Sequence, residues 1–333
     1  MYKGTPAMPL SRRRMLRLVA GSAAVPLVPR TLHARSWPAR TVRMIVPFAP
    51  GGPVDFCGRL LAQRLSDQLG AQFYVENVPG ASGGIGAGQA AKAAPDGATI
   101  LVNVNNQVIN PSLFKQVPYD PFRDFEAVTL VVSFASAFCV HPSVPASSVK
   151  ELVDLVRAHP GQYSYASAGL GTPSHLLAEQ FRVNVGLDLV HVPYAGSGPA
   201  IMSAVAGHTP IAFAGLTAAA PQALDGKLRV LAVMSDHRAG GFPDAPTIAE
   251  AGFPGMDGDG WIGLFLPAGT PRDLVDALYR EVAAVMALPA VREQLATLGL
   301  DPVASTPEAF DTQLHFEVER WRKIIRAANI GLQ

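Results

Sequence analysis

The sequence predicts an α/β protein of two lobes, and three observations predict it. Its 333 residues exceed what one minimal core organises and match about two domains of roughly 100–200 residues each. From residue 40 onward, short apolar runs alternate with amphipathic stretches separated by Gly- and Pro-bearing turns, the pattern of α/β layers on a parallel sheet. Near residue 140 that alternation restarts, and an apolar run at 261–266 reads as a return strand. The second domain is therefore expected at 141–261, inserted into a first domain of 36–140 plus 262–333. Two crossings between domains make a hinge. With 49% apolar and 16% charged residues, 31 Gly and 29 Pro, the chain does not fit long disorder, a coiled coil or a disulfide scaffold.

The first 34 residues stand apart. They carry Lys3, Arg12, Arg13, Arg14, Arg17 and Arg30 and no acid, then an apolar run at 18–28 and Leu32-His33-Ala34 as a cleavage region. This is the plan of an export signal, and the apolar run is only about half a membrane span. Ser11-Arg12-Arg13-Arg14-Met15-Leu16 resembles a twin-arginine signal, with Sec export left open. Taking those six cations from the chain's 27 leaves 21 basic against 26 acidic side chains, a net of −5. Such a body lacks the electrostatic footprint of a nucleic-acid binder. No further stretch is long enough to span a membrane, so no stable insertion is expected after signal removal. Cys57, in helical phase with Leu61 and Leu65, and Cys139, in Phe138-Cys139-Val140, read as small core side chains.

In the first domain, 42–46 reads as a strand, and Val54, Cys57, Leu61 and Leu65 trace one face of the helix after it. Strands follow at 73–76 and 99–104. In the second domain, Ser148-Val149-Lys150-Glu151 is a capping box opening a helix to about 158, and a strand follows at 163–166. Thr172-Pro173 pairs an N-cap with a proline suited to the first helical position. Further strands are expected at 189–192, 211–213 and 230–234, with helices near 199–206 and 218–225, and 271–328 is almost all helical.

Four glycine-rich turns stand where strands hand over to helices: 48–55, 79–86, 166–175 and 193–199. In open α/β sheets ligands bind at the carboxyl ends of strands, where helix N-termini present unpaired N–H groups and a positive dipole end. These turns suit an anion, yet none contains Lys or Arg, and Asp55 is their only fully charged side chain. Each helix end contributes about 0.3–1 kcal/mol, up to about 2 when partly buried, whereas micromolar affinity needs about 8 kcal/mol. Several turns must therefore close together on one ligand. Asp55 reads equally as a site residue or a charge in a helix's first turn, and His175 as a contact or a capping group. His191, inside a strand, reads as structural.

Two enzyme motifs compete. Gly80-Ala81-Ser82-Gly83-Gly84 fits the G-x-S-x-G pattern of a hydrolase nucleophile turn, but Asn77-Val78-Pro79 intervenes where a strand should run straight into it. Gly86-Ala87-Gly88 only loosely follows a dinucleotide fingerprint and lacks its acid about 20 residues on. No pair of metal-ligand residues recurs at ligand spacing on one element, so neither a metal nor a cofactor is expected.

The stretch 45–55, followed by 75–86 and Ala93-Ala94-Pro95-Asp96-Gly97, resembles the Bug family, periplasmic receptors associated with tripartite tricarboxylate transporters. The resemblance continues through Asn110-Pro111-Ser112-Leu113, His141-Pro142-Ser143-Val144-Pro145, Gly171-Thr172-Pro173-Ser174-His175, Val192-Pro193-Tyr194, Gly226-Lys227-Leu228-Arg229 and Pro243-Asp244-Ala245-Pro246-Thr247, covering residues 40–333 in order. It implies a type II periplasmic binding-protein fold, two α/β lobes closing over a small organic anion, commonly a carboxylate. It also implies a non-enzymatic monomer in the periplasm that serves membrane permease subunits, with a signalling receptor or a Ser82 hydrolase as alternatives. By position, first-lobe contacts are expected at Phe48, Gly51, Gly52, Asp55, Ser82 and Gly83, and second-lobe contacts at Ala168, Gly169, Thr172, His175, Gly198 and Gly215. Two departures stand out: Ala195, where many relatives carry Lys, and the amide-rich Asn103-Val104-Asn105-Asn106-Gln107.

Overall fold

The computed structural model describes residues 37–38, 41–239 and 242–331, with Met1 and Gly4 before them. The export signal expected at 1–34 otherwise lies outside the described residues. The chain runs through β1 (Thr41–Val46), α1 (Pro53–Leu69), β2 (Gln72–Asn77), α2 (Gly84–Ala91), β3 (Thr99–Val104), α3 (Asn106–Leu113) and β4 (Phe125–Phe134). It continues through β5 (Ser136–Val140), α4 (Val149–Ala158), β6 (Tyr163–Ser167), α5 (Pro173–Val185), β7 (Leu189–Pro193), α6 (Ser197–Val205), β8 (Ile211–Gly215), α7 (Leu216–Leu224) and β9 (Arg229–Val233). It returns through β10 (Gly260–Pro267), α8 (Arg272–Ala287), α9 (Pro289–Ala296), β11 (Asp301–Pro302) and α10 (Pro307–Ala327).

Two sheets result, one of six strands in the order β11-β4-β10-β3-β1-β2 and one of five in the order β7-β6-β8-β5-β9. Both are mixed, which corrects the expectation of parallel sheets. β1 runs parallel to β2 and β3, and β6 to β7 and β8, but the returning β10 is antiparallel to β3 and β4, and β5 to β8 and β9. The boundary also moves. Ser136–Val140, expected in the first domain, pairs in the second sheet, so the chain crosses at Ala135, between β4 and β5. Residues 128–140 are apolar almost throughout, and strand periodicity alone does not say where one sheet's run ends and the next begins.

Strand alternation distributes the core. Met44, Val46, Ile100 and Val102 face α1 and α8 through Cys57, Leu61, Leu65, Leu278 and Val282, all buried. Ile45 and Leu101 face the other way into a second cluster that also receives Phe138, Tyr165 and Phe213 from the five-stranded sheet. Side chains of α3, α5 and α10, among them Ile109, Phe181 and Trp321, join the two halves of that cluster. Each such side chain contributes about 1.5–3 kcal/mol by leaving water. The outer face of the second sheet carries small residues, Ala137, Cys139, Ala166, Ala212 and Ala214, against Ala200, Ile201 and Ala204 of α6. Cys57 and Cys139 are buried free thiols in separate clusters, and burial pushes each up to about 12.

Glu317 of α10 pins the second crossing. Its buried carboxylate accepts hydrogen bonds from Asn105 Nδ2 (3.0 Å), Trp261 Nε1 (2.8 Å), Gln313 Nε2 (3.0 Å) and Trp321 Nε1 (3.1 Å). The Trp261 N–H donates to Asn105 Oδ1 at 3.0 Å, so the start of β10 and the residue before α3 are held by one network.

Candidate functional site

The glycine-rich turns and α3 form one row in which each member touches the next. In the first turn, Gly51 adopts φ +88° and its N–H donates to Asp55 Oδ2 at 2.9 Å. Arg59, one helical turn on, donates to the same oxygen through Nε at 2.9 Å. Asn77, at the end of β2, donates through Nδ2 to Asp55 Oδ1 (2.9 Å) and to the Phe48 carbonyl (3.0 Å), and its own oxygen accepts from Arg59 Nη2 (2.9 Å). Burial of the Asp55 carboxyl would raise its pKa, but the Arg59 hydrogen bond, the Gly51 N–H, Asn77 and the Arg59 charge together hold it below the ordinary Asp value. Both Asp55 oxygens thus serve the shape of the turn, and its charge faces Arg59. Gly52 is the N-cap of α1, extended at φ −85° and ψ 171°, with its carbonyl accepting the Phe56 N–H at 2.9 Å.

The second turn lies against the first. A Cβ on Gly83 would sit 3.3 Å from the Phe48 ring, and one on Gly86 2.8 Å from Pro47. Ala81 (φ +47°) and Ser82 (φ +50°) both occupy the left-handed region, which costs non-glycine residues about 1–3 kcal/mol each and persists only where the surroundings impose it. The Ser82 carbonyl accepts from Asn110 Nδ2 at 3.0 Å.

That bond brings in α3, a helix not among the elements expected from the sequence, with Pro111 as its sixth residue. Asn106 and Asn110, one turn apart, are buried and linked (Nδ2 to Oδ1, 3.4 Å). Asn106 Nδ2 also reaches the Gly171 carbonyl of the third turn at 3.5 Å. Contact there is close: a Cβ on Gly171 (φ +72°) would lie 2.1 Å from Leu113 Cδ2. A polar path therefore runs from Ser82 in the first lobe to Gly171 in the second.

The third turn is cross-braced by its own hydroxyls. Thr172, the N-cap of α5, donates through Oγ1 to the Gly169 carbonyl (2.7 Å) and accepts from the His175 N–H (3.4 Å). The Ala168 N–H donates to Ser174 Oγ (3.3 Å) and the Gly169 N–H to Ser167 Oγ (3.2 Å). His175 is buried, and its Nδ1 accepts the Gly171 N–H at 3.1 Å, which leaves a neutral ring protonated at Nε2. Burial and neighbouring His191 push its pKa down to about 4. His191 stacks on it, centroids 4.2 Å apart, and pairs with Ser167 Oγ at 2.7 Å, and burial lowers its pKa too. Beneath them Tyr165 donates to Glu179 (2.6 Å), which Arg182 binds through two nitrogens.

The row ends at the fourth turn and at the start of α7. A Cβ on Gly169 would meet the Tyr194 carbonyl at 3.0 Å, and the Gly215 N–H donates to Ser197 Oγ at 3.1 Å. Gly198 is exposed with open space around it. The expected site residues sit in these turns and at the start of α7, and Arg59, Asn77, Asn106, Asn110 and Ser174, which were not among the expected contacts, brace them. The amide-rich stretch at 103–107 and the i, i+4 pair Asn106/Asn110 were the available signals.

Elsewhere, Asp236, His237 and Asp259 gather between β9 and β10 with ligand atoms all within 4.8 Å of one another. They come from two segments, so spacing on one element gives no hint of them, and they could hold a cation. A cavity of about 370 Å³ lined by Pro142, Ala223, Leu228, Arg229 and Phe242 contains none of the turns' residues. No helix among the described residues is long and apolar enough to cross a membrane.

Residues 57–330 match the tripartite tricarboxylate transporter family receptor as a family. The chain belongs to that family. It is 32% identical to Protein BugT of Bordetella pertussis over 97% of this chain and all of BugT. Among solved structures it is similar to the periplasmic binding protein BugD (34% identity, TM-score 0.80, 89% of this chain, 100% of that one). It is also similar to R. palustris Rpa4515 with adipate (32%, 0.83, 89% and 100%) and to MatC of Rhodopseudomonas palustris with bound malate (31%, 0.78, 87% and 100%). The receptor's two α/β lobes therefore have the periplasmic binding-protein fold.

Proposed function

We propose that this receptor binds a small carboxylic acid between its lobes, in the periplasm, and presents it to the permease subunits of a tripartite tricarboxylate-type transporter. The observation that carries this reading is the continuous row of glycine turns and helix N-termini, where Arg59, which reaches the first turn, is already paired with Asp55. The N-termini of α1, α2, α6 and α7 have no side-chain cap, so their N–H groups and dipole ends are offered to an anion. The adipate and malate bound to the two similar R. palustris proteins support the ligand class. Phe48, Gly52, Ser82, Gly83, Ala168, Gly169, Thr172, Gly198 and Gly215 are the proposed contacts. Asp55, Gly51 and His175 are proposed to hold the turns in shape. The described residues of 41–134 and 260–331 would form one lobe and those of 136–259 the other, closing as a monomer about Ala135 and the second crossing, after export directed by residues 1–34.

A thermal-shift screen of mono-, di- and tricarboxylates and aromatic acids tests the reading, since a ligand at 100 times its dissociation constant adds about 2.7 kcal/mol. The absence of any shift would overturn it. The receptor has no catalytic role in this reading. Turnover of activated esters that disappears in Ser82→Ala would instead establish a hydrolase.

A further inference from the structure

The amide cluster at the carboxyl end of β3 contains a donor with nothing to donate to. The Val104 N–H donates to Asn103 Oδ1 at 2.9 Å, which orients the Asn103 amide, and Asn103 Nδ2 then donates to Gln107 Oε1 at 2.8 Å. That order fixes the Gln107 amide as well, and its Nε2 is left buried without a partner on a side chain that is 0% exposed. Gln107 sits in the first turn of α3, whose neighbouring amides Asn110 and Asn106 reach Ser82 in the first lobe and Gly171 in the second. A buried amide donor without an acceptor is costly, and native proteins supply such groups with partners. An apolar side chain of the same size would serve packing better. This donor sits at the N-terminus of a helix whose neighbouring amides reach the second and third glycine turns.

We propose that the Gln107 carboxamide donates to a second oxygen on the bound acid, at a subsite formed with the N-terminus of α3. This rests on the carboxylate-receptor reading and narrows it. The glycine turns take one carboxylate, and Gln107 selects acids with a further oxygen acceptor, dicarboxylates or hydroxy acids, over plain aliphatic monocarboxylates.

Calorimetry and thermal shift on the purified protein with malate, succinate, adipate, butyrate and hexanoate test it. Wild type should bind at least one diacid about tenfold more tightly than the monoacid of equal length, the value of one good hydrogen bond. Gln107→Met should remove most of that preference and leave monoacid affinity in place. The ligand-free melting temperature of that variant should be unchanged or higher, because an unsatisfied donor has gone. Gln107→Glu, which keeps an acceptor for Asn103, should lose the diacid at least as strongly and serves if the methionine variant folds poorly. Diacid preference that survives in both variants, or equal losses for monoacids and diacids, would overturn the Gln107 assignment and leave the receptor reading standing. A wild type that responds to none of the acids would overturn both.

Discussion

Asp55→Asn removes the centre of the first turn's scaffold without changing its size. The carboxylate accepts three hydrogen bonds of 2.9 Å, from the Gly51 N–H, Arg59 and Asn77, and is 4% exposed. An asparagine can accept on one side only, and its NH₂ must then face either Asn77 Nδ2 or the Gly51 N–H and Arg59. Arg59 is half exposed, so its share is small after solvent screening. Loss of one hydrogen bond from a neutral donor to a buried charge costs about 1.5–3 kcal/mol, and a loss of about 2 kcal/mol lowers the melting temperature of a protein of this size by about 3 °C. Scanning calorimetry reads that drop. The pH dependence has a defined sign. The folded-state pKa is lowered, so the contribution of Asp55 is complete above the unfolded value of about 3.9 and is lost as pH falls through the lower folded value. Because both oxygens serve the protein, Asp55→Asn should weaken amino acids and plain dicarboxylates alike. An unchanged melting temperature would refute the scaffold argument, and a selective loss of ligands bearing an ammonium group would make Asp55 a direct contact.

Gly171→Ala places a methyl 2.1 Å from Leu113 at a φ of +72°, and should cost about 1–3 kcal/mol in urea titrations and weaken ligand binding by displacing the third turn from α3. Glu317→Gln leaves indole and amide donors competing for one oxygen, so about 2–4 kcal/mol should be lost, with Trp fluorescence reporting unfolding at lower denaturant. The His175 ring should remain neutral down to about pH 4 in NMR titration. Since the unfolded ring protonates near 6.5, stability should fall as pH drops from there, and titration near 6.5 in the folded protein would contradict the buried, Nδ1-accepting geometry. Small-angle scattering with a saturating acid should show a smaller radius of gyration if ligand closes the lobes, and an unchanged distance distribution would count against closure.

The sequence by itself determined what local chemistry and contiguous motifs encode. Strands at 99–104 and 211–213, the Ser148 capping box and the Thr172-Pro173 helix start are set by residues that are neighbours in the chain, and the structure has β3 at Thr99–Val104, β8 at Ile211–Gly215, and caps at Ser148 and Thr172. Family membership was legible because the motif-bearing turns follow one another in order along the chain. Only the tertiary structure decided which distant groups meet. Asp55 reads as an isolated charge until Asn77, 22 positions away, and Arg59 close on it. The Asn106–Asn110 pair gains meaning from Ser82 and Gly171, 28 and 65 positions off, and the carboxylate of Glu317 from two tryptophans and Asn105. The crossing at Ala135 and the antiparallel return of β10 were equally hidden. Apolar periodicity states that a strand is buried but not in which sheet or direction, because register is chosen by partners that the local pattern does not name.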